Sequence, residues 1–82
     1  VSFQAKLARK WLQDTVTQLV DSPAQVSVTC QPTGKRVSFV VTVDPGDVGQ
    51  VVGKHGRTAQ SLRHILMALG RMFGHTFELD IQ

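Results

Sequence analysis

Val51-Val52-Gly53-Lys54-His55-Gly56-Arg57-Thr58-Ala59-Gln60-Ser61-Leu62 is the stretch from which the rest of the chain is read. Two glycines separated by Lys54 and His55 stand between a short apolar segment and a strongly periodic one. That arrangement places a tight turn, poor in side chains, at the start of a helix. A helix start offers unpaired backbone N–H groups and the positive end of the peptide dipole, so phosphate can sit there. Lys54 and Arg57 add full charges to that partial one.

The helix opened by this turn is expected over residues 57–73. Ala59, Leu62, Ile65, Leu66, Leu69, Met72 and Phe73 fall within one face, and Gly74 suits the C-terminal cap. Gln60, Arg63, His64 and Arg71 occupy the other face together with Met67, an ordinary exposed methionine or a mark of partner contact. Upstream, Asp44 and Pro45 form a helix-start signal, and Val48, Val51 and Val52 give the short segment that follows an apolar stripe.

Further out, residues 24–31 alternate, with Val26, Val28 and Cys30 on one side, and residues 37–43 alternate with Val37, Phe39, Val41 and Val43 inward. Pro32-Thr33-Gly34-Lys35 between them reads as the turn of an antiparallel hairpin. Residues 76–81 alternate again, with Phe77, Leu79 and Ile81 inward. Residues 2–20 carry apolar side chains at helical intervals, and Asp21-Ser22-Pro23 ends that helix. Phe3, Leu7 and Trp11 line one flank of its apolar face; they read as core in preference to a ridge for a partner. The order is thus α-β-β-α-α-β. Each strand has one apolar face, so an α+β fold follows, with the three helices on one side of a three-stranded mixed sheet. Two helices between the second and third strands make a crossover long enough to bring those strands together in parallel.

In this setting the opening stretch resembles the K-homology (KH) signature. Val51 and Val52 match its apolar pair, Gly53 and Gly56 its G-x-x-G loop, and Ala59 and Leu62 its two helix positions, with Ala59 smaller than the usual branched residue. The order of elements is similar to that of type II KH domains, and the resemblance spans the chain as one domain, residues 1–82. It is nearest to the short, stand-alone bacterial KH proteins of the KhpA group.

Composition sets bounds on function. The 82 residues suffice for a single core, and 41% hydrophobic with 18% charged residues is the balance of a folded, soluble domain. The formal net charge of +3 favours polyanion partners. Residues 45–76 hold Lys54, Arg57, Arg63 and Arg71 against Asp47, so the loop and its helix carry as much excess as the whole chain. One cysteine, Cys30, excludes an intrachain disulfide and reads as a small buried hydrophobe. No span-length apolar run or signal-peptide core is present, so a cytoplasmic protein without membrane contact is expected.

Enzymatic motifs are missing. Gly49-Gln50-Val51-Val52-Gly53-Lys54-His55 has three residues between its glycines where a P-loop needs four, and His55 stands where Ser or Thr would bind magnesium. Three scattered histidines make no metal site, and the few acidic residues define no catalytic pair. No enzyme, cofactor or metal is expected; His64 and His75 read as surface residues.

A single nucleic acid strand presents charged phosphates and apolar base faces. Gly53, Lys54, His55 and Gly56 are the candidates for the phosphates, supported by Arg57; Val48, Val52 and Leu62 are the candidates for an apolar floor. His55 can gain charge as pH falls, so binding is expected to strengthen in that direction. The KH resemblance implies that Lys35 and Arg36 form the opposite wall of the groove. It implies about four nucleotides of single-stranded RNA per domain. The chain has no Tyr and no aromatic is placed on the groove, so aromatic stacking is not expected to dominate, and two or three phosphate contacts would give a salt slope of only about −1.4 to −2.1. From the KhpA group it further implies RNA chaperoning or post-transcriptional regulation connected with cell elongation and division, a homodimer, and pairing with a larger KH protein of the KhpB type. Two other functions compete. One is a protein-interaction or dimerisation module with secondary RNA contact; the other is a helix-turn-helix-like DNA binder, against which stands the absence of a polar reading face at the helix start.

Overall fold

The computed structural model describes residues 3–82, so Ser2, the expected first residue of the N-terminal helix, lies outside the described residues. The elements run α1 (Phe3–Thr17), β1 (Ser27–Thr33), β2 (Arg36–Thr42), α2 (Val48–Val52), α3 (Arg57–Met72) and β3 (Thr76–Ile81). The sheet order is β1-β2-β3, with β1 antiparallel and β3 parallel to β2. This is the type II KH fold in the order the sequence implies.

Three rows of inward side chains build the core from the sheet. Val28 of β1, Val37, Phe39 and Val41 of β2 and Phe77 of β3 are buried, and Phe39 meets Phe77 edge to face at 5.0 Å between ring centroids. A fully buried side chain of this size stabilises by roughly 1.5–3 kcal/mol, so this cross-strand pair is a main anchor of the parallel pairing.

The helix α1 docks through Ala5, Ala8, Leu12 and Val16. The two alanines bring its backbone close to the sheet, and that choice of face turns the larger side chains away. Phe3 is 71% and Leu7 50% exposed, while Trp11 packs partly against the core. The reading of Phe3 and Leu7 as core is therefore corrected. The helix also stops at Thr17, ahead of Asp21-Ser22-Pro23. Its last turn tightens through Gln18 N–H to the Thr15 carbonyl and Leu19 N–H to the Val16 carbonyl, at 3.1 and 2.9 Å.

Residues Pro23–Gln25 form a single 3₁₀ turn, so β1 begins later than expected, at Ser27. It also runs further, through Pro32 and Thr33, leaving Gly34-Lys35 as a two-residue turn between Thr33 and its register partner Arg36. Gly34 takes φ 63°, the backbone sign that favours such tight hairpins, and Pro32 is tolerated because β1 is an edge strand.

Asp44 caps the next segment as expected, its carboxylate accepting the Gly46 N–H at 3.0 Å with Pro45 in the first position. Asp47, counted in the sequence only as a charge, is buried and accepts the Ser22 N–H at 3.0 Å. It ties the segment after α1 to the entrance of α2.

At its other end α3 closes in a Schellman arrangement. His75 N–H reaches the Gly70 carbonyl at 2.8 Å, Gly74 N–H reaches that of Arg71 at 3.3 Å, and Gly74 sits at φ 74°. Gly70 is buried there, and a Cβ on it would come within 2.8 Å of the His75 carbonyl oxygen and 3.0 Å of the Phe77 ring. The close approach of α3 to β3 depends on that missing side chain.

Candidate nucleic-acid interface

The turn between α2 and α3 is shaped by three departures from ordinary backbone, at Gly53, His55 and Gly56. Gly53 has φ 79° and ψ 172°, a region almost restricted to glycine, and a Cβ there would collide with the Thr58 side chain and lie 3.0 Å from its backbone N. His55 (φ 57°, ψ 24°) and Gly56 (φ 72°, ψ 13°) then both turn left-handed. For His55, the one non-glycine of positive φ among the described residues, this costs about 1–2 kcal/mol. A Cβ on Gly56 would meet nothing within 4 Å, so that glycine is required by conformation, not by space. The Gly56 N–H is held by the Gly53 carbonyl at 3.1 Å, and the Arg57 N–H by that of Lys54.

The result is a helix start that no side chain caps. Gly56 occupies the N-cap of α3, and its first turn contains no acid. Lys54, His55 and Arg57 are exposed around it. The ion pairs among the described residues are Lys10 with Asp14 and Arg36 with Glu78, at 3.1 and 3.3 Å, so Lys54 and Arg57 are not matched by carboxylates. Chemically this surface can hold an anion through dipole and charge together.

The apolar candidates separate. Leu62 is buried in the core beside fully buried Val51. Val48 is half-buried against that core, and Val52 is half-buried next to the loop.

Lys35 and Arg36 are not brought to the loop. The parallel register starts at Arg36 opposite Thr76, and Thr76 N–H reaches the Lys35 carbonyl at 2.9 Å, so both residues lie where β3 begins and α3 ends. The 16 residues of α3, about 24 Å at 1.5 Å each, separate them from the 53–56 turn. Arg36 is also engaged by Glu78 on the sheet face away from the helices, where Ser38 joins the same carboxylate at 3.4 Å.

The two flanks of α3 differ sharply. Toward β3 it presents Gln60, Arg63, His64, Met67 and Arg71; Gln60 and His64 are joined at 3.2 Å, and an open pocket of about 230 Å³ lies between Arg63, Met67 and the strand residues Phe77, Glu78 and Leu79. Toward α1 it presents Ile65, Met72 and Phe73, which are 48%, 73% and 43% exposed and had been expected inside. The core needs only Ala59, Leu62, Leu66 and Gly70, so the apolar face of this helix is wider than the sheet can cover. Leu69 and Phe73 line an apolar groove of about 240 Å³ with Leu7, Ala8 and Trp11.

Two histidine and cysteine readings are also settled. His64 is exposed as expected, but His75 is half-buried, stacked on Phe77 at 5.7 Å, with its Nδ1 enclosed and unpartnered. Burial pushes the Cys30 thiol up, against the opposing pull of Arg9, which is the opposite of nucleophile activation. Thr58 and Asp47 are the site-supporting residues that pattern reading missed. The Gly53 position gave an indirect signal for Thr58; nothing in the pattern distinguished Asp47.

Comparison with known proteins decides the family. Residues 9–81 match the family described as KhpA/KhpB, KH domain. The chain belongs to the KhpA/KhpB KH-domain family. Its similarity to individual KhpA/KhpB-family members is extensive. It is 43% identical over 67 residues to the RNA-binding protein KhpA of Aquifex aeolicus (strain VF5), covering 82% of this chain and 85% of that one. To the RNA-binding protein KhpA of Bacillus subtilis (strain 168) it is 38% identical over 66 residues, 80% of this chain and 82% of that one. To the RNA-binding protein KhpA of Streptomyces coelicolor it is 37% identical over 59 residues, 72% and 75%. Membership in a KhpA/KhpB KH family accords with a binding module in place of an enzyme. Among the described residues no helix is long and apolar enough to cross a membrane.

Proposed function

We propose that this protein is a cytoplasmic RNA-binding module that takes about four nucleotides of single-stranded RNA across the 53–56 turn, acting as an RNA chaperone or post-transcriptional regulator connected with cell elongation and division. One observation carries the reading: the acid-free start of α3, which no side chain caps, reached through a turn that depends on Gly53 and flanked by unmatched Lys54 and Arg57. The names of its relatives, RNA-binding proteins all, point the same way. Phosphates sit on the helix start and the two cations, and one or more bases lie over Val52 and the flank of α3 toward β3. Gln60, Arg63 and His64 there offer hydrogen bonds to base edges.

The test is fluorescence anisotropy with a short degenerate single-stranded RNA, comparing the protein with Lys54→Asp/His55→Asp. The paired variant loses at least tenfold in affinity, because two contacts of charge-assisted type are reversed, while its circular dichroism is unchanged. Equal binding by the two proteins would remove the turn from the site. Duplex DNA serves as the competitor, and a preference for it would restore the helix-turn-helix alternative.

A second reading rests on the apolar groove between α1 and α3. Phe3, Leu7, Ile65, Met72 and Phe73 are an unusual density of exposed apolar groups for so small a domain. They suit a homodimer, or a heterodimer with a larger KH protein of the KhpB type, that leaves the RNA surface free. Sedimentation at high salt tests it: an association driven by apolar burial persists there, whereas one driven by charge dissociates.

A further inference from the structure

We propose that the free edge of β1 is a docking site for an extended, acidic peptide segment of another protein, which adds to the sheet as a fourth strand beside Lys6 and Arg9 of α1. This site is independent of the RNA reading, because β1 is the edge of the sheet opposite to β3.

The pairing pattern fixes which backbone groups the edge offers. Thr76 N–H reaches the Lys35 carbonyl and Gln82 N–H that of Val41, at 2.9 and 2.8 Å, so the odd-numbered residues through β2 turn their backbone toward β3. The even-numbered ones therefore turn toward β1, where their register partners are Ser27, Thr29, Gln31 and Thr33. Val28, Cys30 and Pro32 are left facing outward. Both ends of this row are closed. Before it, the Val26 carbonyl accepts the Gln13 side-chain amide at 3.0 Å. After it, Pro32 has no N–H to give. Between these stops Val28 and Cys30 present N–H donors and carbonyl acceptors at strand spacing.

An open cleft of about 280 Å³ lies at this point, lined by Val28, Thr29, Cys30 and the cations Lys6 and Arg9. Val28 is buried there and Cys30 half-buried, so a strand enters from the Cys30 side. Both cations are exposed, and neither joins an ion pair among the described residues, Asp14 being engaged by Lys10.

Chemistry selects the occupant. A phosphate backbone only accepts hydrogen bonds and is repelled by the outward carbonyls, whereas a peptide answers donors and acceptors in turn. A second copy of this chain would bring its own β1, which holds no carboxylate for Lys6 and Arg9. Cations beside an edge strand also deter pairing between like chains. An extended segment with acidic side chains at alternate positions meets both demands, since alternate side chains of a strand share one face.

The test is an NMR titration of this chain with an eight-residue peptide of alternating glutamate and threonine, against one of alternating lysine and threonine. At about ten times its Kd, the glutamate peptide should slow hydrogen exchange of the Val28 and Cys30 amides about tenfold, and the lysine peptide should not. Lys6→Gln/Arg9→Gln should weaken binding about fivefold with circular dichroism unchanged, while Lys6→Arg/Arg9→Lys retains it. Binding without protection of those two amides would mean charge attraction alone and would overturn strand addition. Equal binding of the lysine peptide would overturn the acidic occupant. Amides already protected without peptide, increasingly so at higher protein concentration, would give the edge to a second copy. Protection of the same two amides by a single-stranded RNA would give it to nucleic acid.

Discussion

One flank of α3 carries arginines and no acid; the other, a quarter-turn past the core on the opposite side, carries Ile65, Met72 and Phe73 in solvent. Both flanks stand on the same four core residues, Ala59, Leu62, Leu66 and Gly70. The difference teaches that a single helix can be amphipathic three ways, with a buried stripe, an exposed basic stripe and an exposed apolar stripe. Charge without carboxylate partners marks the first exposed stripe, and apolar area without cover marks the second. Neither stripe is what a helix kept for solubility alone would show.

The strongest way to break the comparison is to remove the common floor. Leu66 is fully buried, so Leu66→Ala costs about 2–5 kcal/mol, and RNA binding and self-association should disappear together on heating or in urea. Loss of one before the other would mean the flanks do not share a foundation. Next in size is the pair of glycines at the turn. Gly53→Ala must overcome both backbone conformation and contact with Thr58, whereas Gly56→Ala meets only the first, at about 1–2 kcal/mol. Urea titration should therefore rank Gly53→Ala as the more destabilising, and both should impair RNA more than self-association.

A sharper cut divides the stripes themselves. Ile65→Lys/Met72→Lys places two charges on the apolar flank and should weaken self-association at least tenfold in sedimentation, with tetranucleotide affinity held within about twofold. Smallest of all is the effect of Cys30, which lies between α1 and β1, away from both stripes. Its folded-state thiol pKa is raised by burial, so the folded protein holds that proton more tightly than the unfolded chain does. Its contribution to stability is present below the unfolded thiol's pKa and lost as pH rises through the folded one. Alkylation by iodoacetamide should be slower than for a free thiol at mildly alkaline pH and accelerate on unfolding, with no change in RNA affinity.

Much of this architecture is readable before any coordinates. Periodicity found every strand, because alternation in residues 37–43 and 76–81 is strict, and the Gly53/Gly56 spacing found the turn. What pattern reading could not supply was sidedness. Leu7 and Ala8 are both apolar, and only docking decides that the alanine goes inside and the leucine out. In the same way Ile65 and Leu66 differ little in hydropathy, yet one faces solvent and the other the sheet. The KH resemblance implies that Lys35 and Arg36 form the opposite wall of the groove; the parallel register sets Arg36 opposite the start of β3, at the far end of α3 from the turn. Asp47 was legible as a charge but not as a buried acceptor, since its partner Ser22 is distant in sequence.

The parallel pairing of β2 with β3 has a further bearing on time. The partners Arg36 and Thr76 are forty positions apart, and the whole 53–56 turn lies inside the loop that their pairing closes. Non-local closure of this kind is slow relative to forming the β1–β2 hairpin, whose turn is only Gly34-Lys35. A chain caught between those two events has its hairpin but not the docked α3 that aims the turn. On the proposed function RNA would be a ligand of the completed fold alone, and at about a hundred times its Kd it would add about 2.7 kcal/mol to stability. A transcript bound in the proposed way would thereby also hold the domain closed.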